Sequence, residues 1–141
     1  MTTIYIAASS AELLRAMDAI AAATAAGLVV THDWTRDVRA ARAGGHRDDS
    51  TVSPENKLRC AQADIDGVRR ADIFWLLSPS DASFGAGVEL GVAIEALKCT
   101  VISGVRPQRI WETLVNHTVW GDGADMQALA WIVDTFVVVK P

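Results

Sequence analysis

Apolar residues fall along this chain in short blocks separated by longer segments of helical spacing. Residues 4–8 are a β-branched and aromatic run, the pattern of a first strand buried on both faces. Ser9-Ser10 offers an N-cap, and residues 11–26 set Leu13, Leu14, Met17, Ile20 and Ala21 at helical spacing until Gly27 ends the helix. Residues 28–31 read as a second short strand. Ser53-Pro54-Glu55 starts another helix, with serine as cap and proline at the first helical position, and Leu58, Ala61, Ile65 and Val68 share one face. Residues 72–77 are a third buried strand, 78–87 a Ser/Gly-rich turn, 88–97 a helix and 99–103 a fourth strand. Residues 118–120 supply a fifth strand, and a helix over 125–136 closes the chain.

One segment breaks the rhythm. Residues 33–53 carry Arg36, Arg39, Arg42 and Arg47 among Asp33, Asp37, Asp48 and Asp49, around Gly44-Gly45, with little apolar content. The segment reads as a long polar loop. Loops of that length in a compact domain are usually functional or disordered: the segment is a candidate lid with its arginines as candidate phosphate clamps, or a mobile solvated loop, the reading its mixed charge favours.

Strands alternating with helices predict right-handed βαβ units and a parallel sheet. The expected architecture is α/β: a flavodoxin-like (Rossmann-like) single domain over residues 1–141, with a five-stranded parallel sheet and helices on both faces. Such sheets hold their ligand outside the carboxyl ends of the strands. The candidate positions are therefore Ser9-Ser10, His32 onward, and residues 78–89.

Composition narrows the function. Half of the 141 residues are hydrophobic and 21% are charged, so a packed core is expected. Thirteen basic against 17 acidic residues give a net charge of −4, which disfavours a nucleic-acid polymer or an anionic membrane surface as partner. The most apolar stretch, residues 19–30, falls short of the roughly 20 residues a membrane span needs, and the first residues do not read as a signal peptide. The expectation is a soluble cytoplasmic domain. Cys60 and Cys99 form no CxxC, and with three scattered histidines they make no zinc-ligand pattern. No metal or organic cofactor is implied.

The most informative stretch is Ser83-Phe84-Gly85-Ala86-Gly87-Val88-Glu89-Leu90-Gly91. Gly85 and Gly87 let the backbone approach a ligand, and amides at a helix N-terminus favour an anion such as phosphate. Ser83 adds a hydroxyl. Glu89 reads as a first-turn residue, where the helix dipole favours its ionised form, and an ionised carboxylate facing a pocket serves as nucleophile or base. Read alone, the same stretch is a tight strand-to-helix turn with a dipole-complementing glutamate. Neither G-x-G-x-x-G nor a P-loop is present.

Four segments in order carry a resemblance: Ile4-Tyr5-Ile6-Ala7-Ala8-Ser9, Ala63-Asp64-Ile65-Asp66-Gly67-Val68, Ala71-Asp72, and Gly87-Val88-Glu89-Leu90-Gly91-Val92-Ala93. The chain resembles the nucleoside 2-deoxyribosyltransferase superfamily over residues 4–104, and most closely its nucleotide N-hydrolase branch. The resemblance implies Glu89 as the carboxylate beneath C1′ of the sugar. It implies Asp64 as the second acid, for leaving-base protonation or sugar positioning, and Tyr5 as the group that orients the carboxylate. Ser83 stands where the transferases of free nucleosides carry an aspartate. A serine beside glycine amides suits a 5′-phosphate that an aspartate would repel. His32 resembles a histidine of the hydrolase branch. Asn116 is the candidate for the residue that a neighbouring subunit contributes, so a homodimer or larger homo-oligomer is implied. The arginine-rich segment and the chain after Gly104 depart from the family pattern.

The resulting expectation is an N-glycosidase acting on a (deoxy)nucleoside 5′-monophosphate, with Glu89, Asp64 and Tyr5 catalytic and Ser83, Gly85, Gly87, Ser9, His32 and Asn116 binding substrate. A base-exchanging deoxyribosyltransferase and a non-catalytic nucleotide-binding module are the alternatives. Of the tryptophans, Trp75 and Trp131 read as core, Trp34 as a candidate base-stacking residue, and Trp111 and Trp120 as candidate interface residues.

Overall fold

The computed structural model describes residues 1–78, 83–107 and 110–137, with nothing stated of the side chains of residues 110 and 111. Five strands, β1 (Thr3–Ala7), β2 (Val29–Val30), β3 (Ile73–Leu77), β4 (Cys99–Gly104) and β5 (His117–Trp120), form one sheet in the order β2-β1-β3-β4-β5. All four pairings are parallel, with Tyr5 opposite Phe74 and Trp75 opposite Val101. This is the expected flavodoxin-like order. β1 and β3 lie at the centre and are buried along nearly their whole length, which is why they read as continuous apolar runs rather than alternating ones.

The helices are α1 (Leu13–Ala25), α2 (Trp34–Ala43), α3 (Pro54–Arg70), α4 (Phe84–Glu95) and α5 (Ala124–Phe136). α1 and α5 share one face of the sheet, joined by an ion pair between Arg15 and Asp125. α3 and α4 pack together, α3 against β1 and α4 against β3 and β4. Ser53 caps α3 by accepting a hydrogen bond from the Asn56 amide at 3.2 Å, with Pro54 at the first helical position.

Two segments differ from the sequence expectation. The polar stretch 33–53 is not a continuous loop: Trp34–Ala43 is a helix, capped by the Asp33 carboxylate on the Thr35 amide at 3.1 Å and ended at Gly44. Its composition is dominated by arginine and alanine, both strong helix formers. Only one narrow face is apolar, with Trp34 and Val38 joining the core and also walling a cavity, so the pattern looked like a loop. The second difference is α4, which starts at Phe84, four residues before the expected Val88. The Ser83 hydroxyl caps it by accepting from the Ala86 amide at 3.3 Å. Gly85 and Gly87 are therefore helical residues, and Glu89 is the sixth residue of α4, beyond the first turn where the dipole acts.

The core gathers around Tyr5, Phe74 and Trp75, all essentially inaccessible. Trp75 is in the core as expected, its indole N–H donating to the Ser103 hydroxyl at 2.9 Å. Trp131 is half-buried, stacked on His117 with ring centroids 4.0 Å apart.

Candidate active site

Tyr5 lies mid-strand in β1, on the face covered by α3. Its ring passes α3 at Gly67. A Cβ there would stand 2.9 Å from Tyr5 Cδ2 and Cε2 and 2.7 Å from His32 Cβ, so only glycine lets the helix sit this close. The ring stacks on Phe74 and its hydroxyl donates to Glu89 Oε1 at 3.0 Å. Asp64, three residues before Gly67 on α3, faces the same point. One strand, two neighbouring helices and a helical glycine thus bring the three expected catalytic residues together.

The electrostatics of the trio are coupled. Burial, and then the charge of Asp64, push the Glu89 carboxyl from its ordinary 4.5 up to about 8, against the stabilising hydrogen bond from Tyr5. Burial also raises Asp64, opposed by His32 and the Tyr5 hydroxyl and reinforced by Asp37. Tyr5 is held well above its ordinary value by burial and by the two carboxylates. At neutral pH the pair therefore retains a proton, the arrangement that lets one carboxyl act as acid while the other acts as anion.

His32 stands behind Asp64 rather than on the cavity wall. Its Nε2 is 3.3 Å from Asp64 Oδ1 and 3.5 Å from Asp37 Oδ2, at ion-pair distance but outside hydrogen-bond geometry. Asp37 comes from α2 and was not singled out from the sequence. Its signal was there in retrospect: Trp34, Asp37, Val38 and Ala41 follow helical spacing and together line the cavity.

That cavity, about 490 Å³, opens beside the C-terminal end of β1 and is walled by α2, α3 and the start of α4. Asp64, Glu89, Ser83 and Gly85 all line it, as does Ser10. Trp34 forms part of the wall and is nearly buried, with its indole N–H anchored on the Ile6 carbonyl at 2.8 Å. A larger recess of about 620 Å³ runs beside β2, but Tyr5, Asp64 and Glu89 do not line it.

Ser9 and Gly87 are engaged away from the expected ligand contact, and Asn116, expected to reach a neighbouring subunit's site, lies away from this chain's own cavity. Ser9 turns its hydroxyl to the Ala11 amide at 3.2 Å, and its neighbour Ser10 meets the cavity instead. The Gly87 amide is spent inside α4 on the Ser83 carbonyl at 3.2 Å, so it is not free for an anion. Asn116 sits at the opposite end of the sheet, where its Oδ1 accepts from the Thr100 amide and hydroxyl at 2.8 and 2.9 Å. Thr100 opens β4, whereas the cavity lies beyond the strand ends. Asp81 and the side chain of Trp111 lie outside what the structure describes.

Ser78, the residue after β3, is held from the other face. Arg15 makes a forked contact with Asp125 at 2.7 and 2.8 Å and donates to the carbonyls of Ser78, at 2.9 Å, and Ser103, at 3.3 Å. Asp125 also accepts from the Ser103 hydroxyl at 2.6 Å. Burial opposes its charge, but these partners hold Asp125 below the usual carboxylate range. Ser78 is the last described residue before the connection to Ser83, so this clasp fixes where that connection departs.

Fold and site together define a flavodoxin-like α/β domain with a tyrosine-bridged carboxylate pair in a cavity beyond its strands. The solved structure of Clostridium botulinum CMP N-glycosidase, BcmB, has this fold: it matches with a TM-score of 0.63 over 96% of this chain and 100% of that one, at 18% identity. That structural neighbour is a nucleotide N-glycosidase, the branch to which the sequence motifs pointed. No family model matches the chain, and no curated protein matches it in sequence.

Proposed function

We propose that this protein hydrolyses the N-glycosidic bond of a nucleoside 5′-monophosphate, ribo- or deoxyribo-, releasing free base and the sugar 5-phosphate. The observation that carries the reading is the Tyr5–Glu89–Asp64 cluster: two acids coupled through one hydroxyl in a cavity. A module that only binds has no need of paired carboxyls that share a proton. The fold match to a CMP N-glycosidase supports the same class.

The C1′–N bond breaks through an oxocarbenium-like sugar. At rest the proton of the pair sits with Glu89; its shift toward Asp64 leaves Glu89 ionised beneath C1′, where it stabilises that charge or bonds to it. The proton held by the pair passes on the Asp64 side to the departing base, with Tyr5 orienting Glu89 and His32 supporting Asp64. Water then supplies hydroxide to C1′ and its remaining proton restores the pair. Ser83 and the first amides of α4, whose N–H groups have no partner within the helix, receive the 5′-phosphate together with Ser10. The reading includes a homodimer, and the exposed apolar face of α4, with Phe84 89% and Val88 46% exposed, supports a contact there.

The test is chromatography for free base after incubation with each common and 5-modified (deoxy)nucleoside 5′-monophosphate, wild type beside Glu89→Gln. Base release by the wild type alone supports the reading. Activity confined to unphosphorylated nucleosides, with base exchange when an acceptor base is added, replaces it with a transferase. Saturable nucleotide binding with no base released replaces it with a binding module. Sedimentation of the wild type against Phe84→Glu tests the dimer.

A further inference from the structure

The cavity is acidic where its proposed ligand is anionic. Among the described lining residues Asp37, Asp49, Asp64 and Glu89 face the single ammonium of Lys57; Arg59, outside the lining, is taken up by Asp37 at 3.4 Å. A phosphate dianion seated at the Ser10, Ser83 and Gly85 end needs a countercharge there. Arg15 is not available, because Asp125 and two carbonyls occupy its donors on the other face of the sheet. Lys57 and Asp49 line the cavity from the α2–α3 connection and the start of α3.

We propose that Arg42, at the C-terminal end of α2, is the cation that reads the 5′-phosphate; the assignment rests on the nucleotide reading above. Arg42 is exposed and does not itself line the cavity, but its Nη2 donates at 3.0 Å to the carbonyl of Ser10, which does. A guanidinium has five N–H donors, and this contact uses one of them. The planar fork that remains matches a phosphate. The other arginines of the helix are placed differently: Arg36 pairs outward with Asp33 at 3.1 Å, and Arg39 turns back to the Thr35 carbonyl at 3.4 Å. The polar segment that departs from the family pattern thereby gains a specific task. It roofs the cavity with the inner face of α2 and brings a charge to the phosphate from its last turn.

Binding of a nucleoside 5′-monophosphate and of the matching nucleoside is measured by titration of the full chain, for wild type, Arg42→Gln, Arg42→Lys and Arg36→Gln. Arg42→Gln is expected to weaken the monophosphate about tenfold or more, as for loss of a charge-assisted contact, and to leave the nucleoside within about twofold. Arg42→Lys keeps the charge without the fork and falls between. Arg36→Gln, which makes the same charge change on the same helix, matches the wild type. Rising salt erodes the preference for the monophosphate in the wild type and not in Arg42→Gln. Equal weakening of both ligands by Arg42→Gln overturns the assignment, because that is the signature of a tether that merely holds α2. An unchanged Arg42→Gln overturns it as well. If the wild type releases base from nucleotides normally in either case, the proposed function stands and this assignment alone falls; a wild type that binds no monophosphate sinks both.

Discussion

Glu89→Gln separates charge from shape at the centre of the cavity. Glutamine keeps the outline of the side chain, and its amide oxygen still accepts from the Tyr5 hydroxyl, 3.0 Å away in the native pair. What it loses is ionisation. Below the ordinary value of 4.5 the wild-type carboxyl is protonated in both the folded and the unfolded chain, and it costs nothing. Between 4.5 and about 8 the unfolded chain releases a proton that the folded protein keeps, so stability falls as pH rises; above about 8 the loss is complete. At about 1.4 kcal/mol per pH unit, the full loss approaches about 5 kcal/mol. Urea denaturation of wild type and Glu89→Gln from pH 5 to pH 9, with base release measured on the same samples, reads both consequences. The wild type should lose stability relative to the variant steadily across that range, while the variant releases no base. Parallel stabilities from pH 5 to pH 9 would refute the claim that a buried carboxyl beside a second acid lies at the heart of the site.

Tyr5→Phe removes the one hydrogen bond that favours ionised Glu89, so kcat should fall about 10- to 100-fold for a bond worth roughly 1.5–3 kcal/mol, and the acid limb of the kcat/KM profile should move to higher pH. Gly67→Ala forces a methyl against Tyr5 and His32; a loss of about 1–3 kcal/mol is expected from urea midpoints, together with weakened catalysis because the tyrosine must shift. Asp125→Asn leaves Arg15 half-buried without its counter-ion, and thermal denaturation should show a loss of about 2–4 kcal/mol. Replacing both members of that pair by Met and Leu should recover part of the loss, since a removed pair leaves no orphaned charge.

The five strands were legible because each is a short apolar block, and the observed boundaries lie within a residue or two of the expected ones. The parallel sheet followed from the alternation of strands and helices, and its flavodoxin-like order from five strands in a chain of this length. α2 was not legible, because its apolar stripe is narrow, little more than Trp34 and Val38 among arginines and alanines. The trio Tyr5, Asp64 and Glu89 could be named from its motifs, and Gly67 lay inside one of them, but its reason for being glycine appears only when strand and helix are brought together. Asp37 and Arg42 were hidden in a charge-rich segment where every residue looked alike; the fold distinguishes them by the direction each turn of α2 faces. Asn116 lies at the end of the sheet away from this chain's own cavity, where it accepts from Thr100 in β4; its expected contribution to a neighbouring subunit is a matter of assembly rather than of this fold.

The clasp between α1 and α5 sets an order on how the chain becomes competent. Arg15 is made early in synthesis and its partner 110 residues later. While the nascent chain is still short of Asp125, the guanidinium has only Glu12, 3.9 Å away, and backbone carbonyls to meet, and the exit of β3 lacks its main brace. The central strands can assemble as they emerge, yet the end of the sheet that carries the cavity is locked only when the last helix docks. A ribosome-stalled chain ending shortly before residue 125 should therefore hold a sheet without a working site, and release of the final helix should restore the two together.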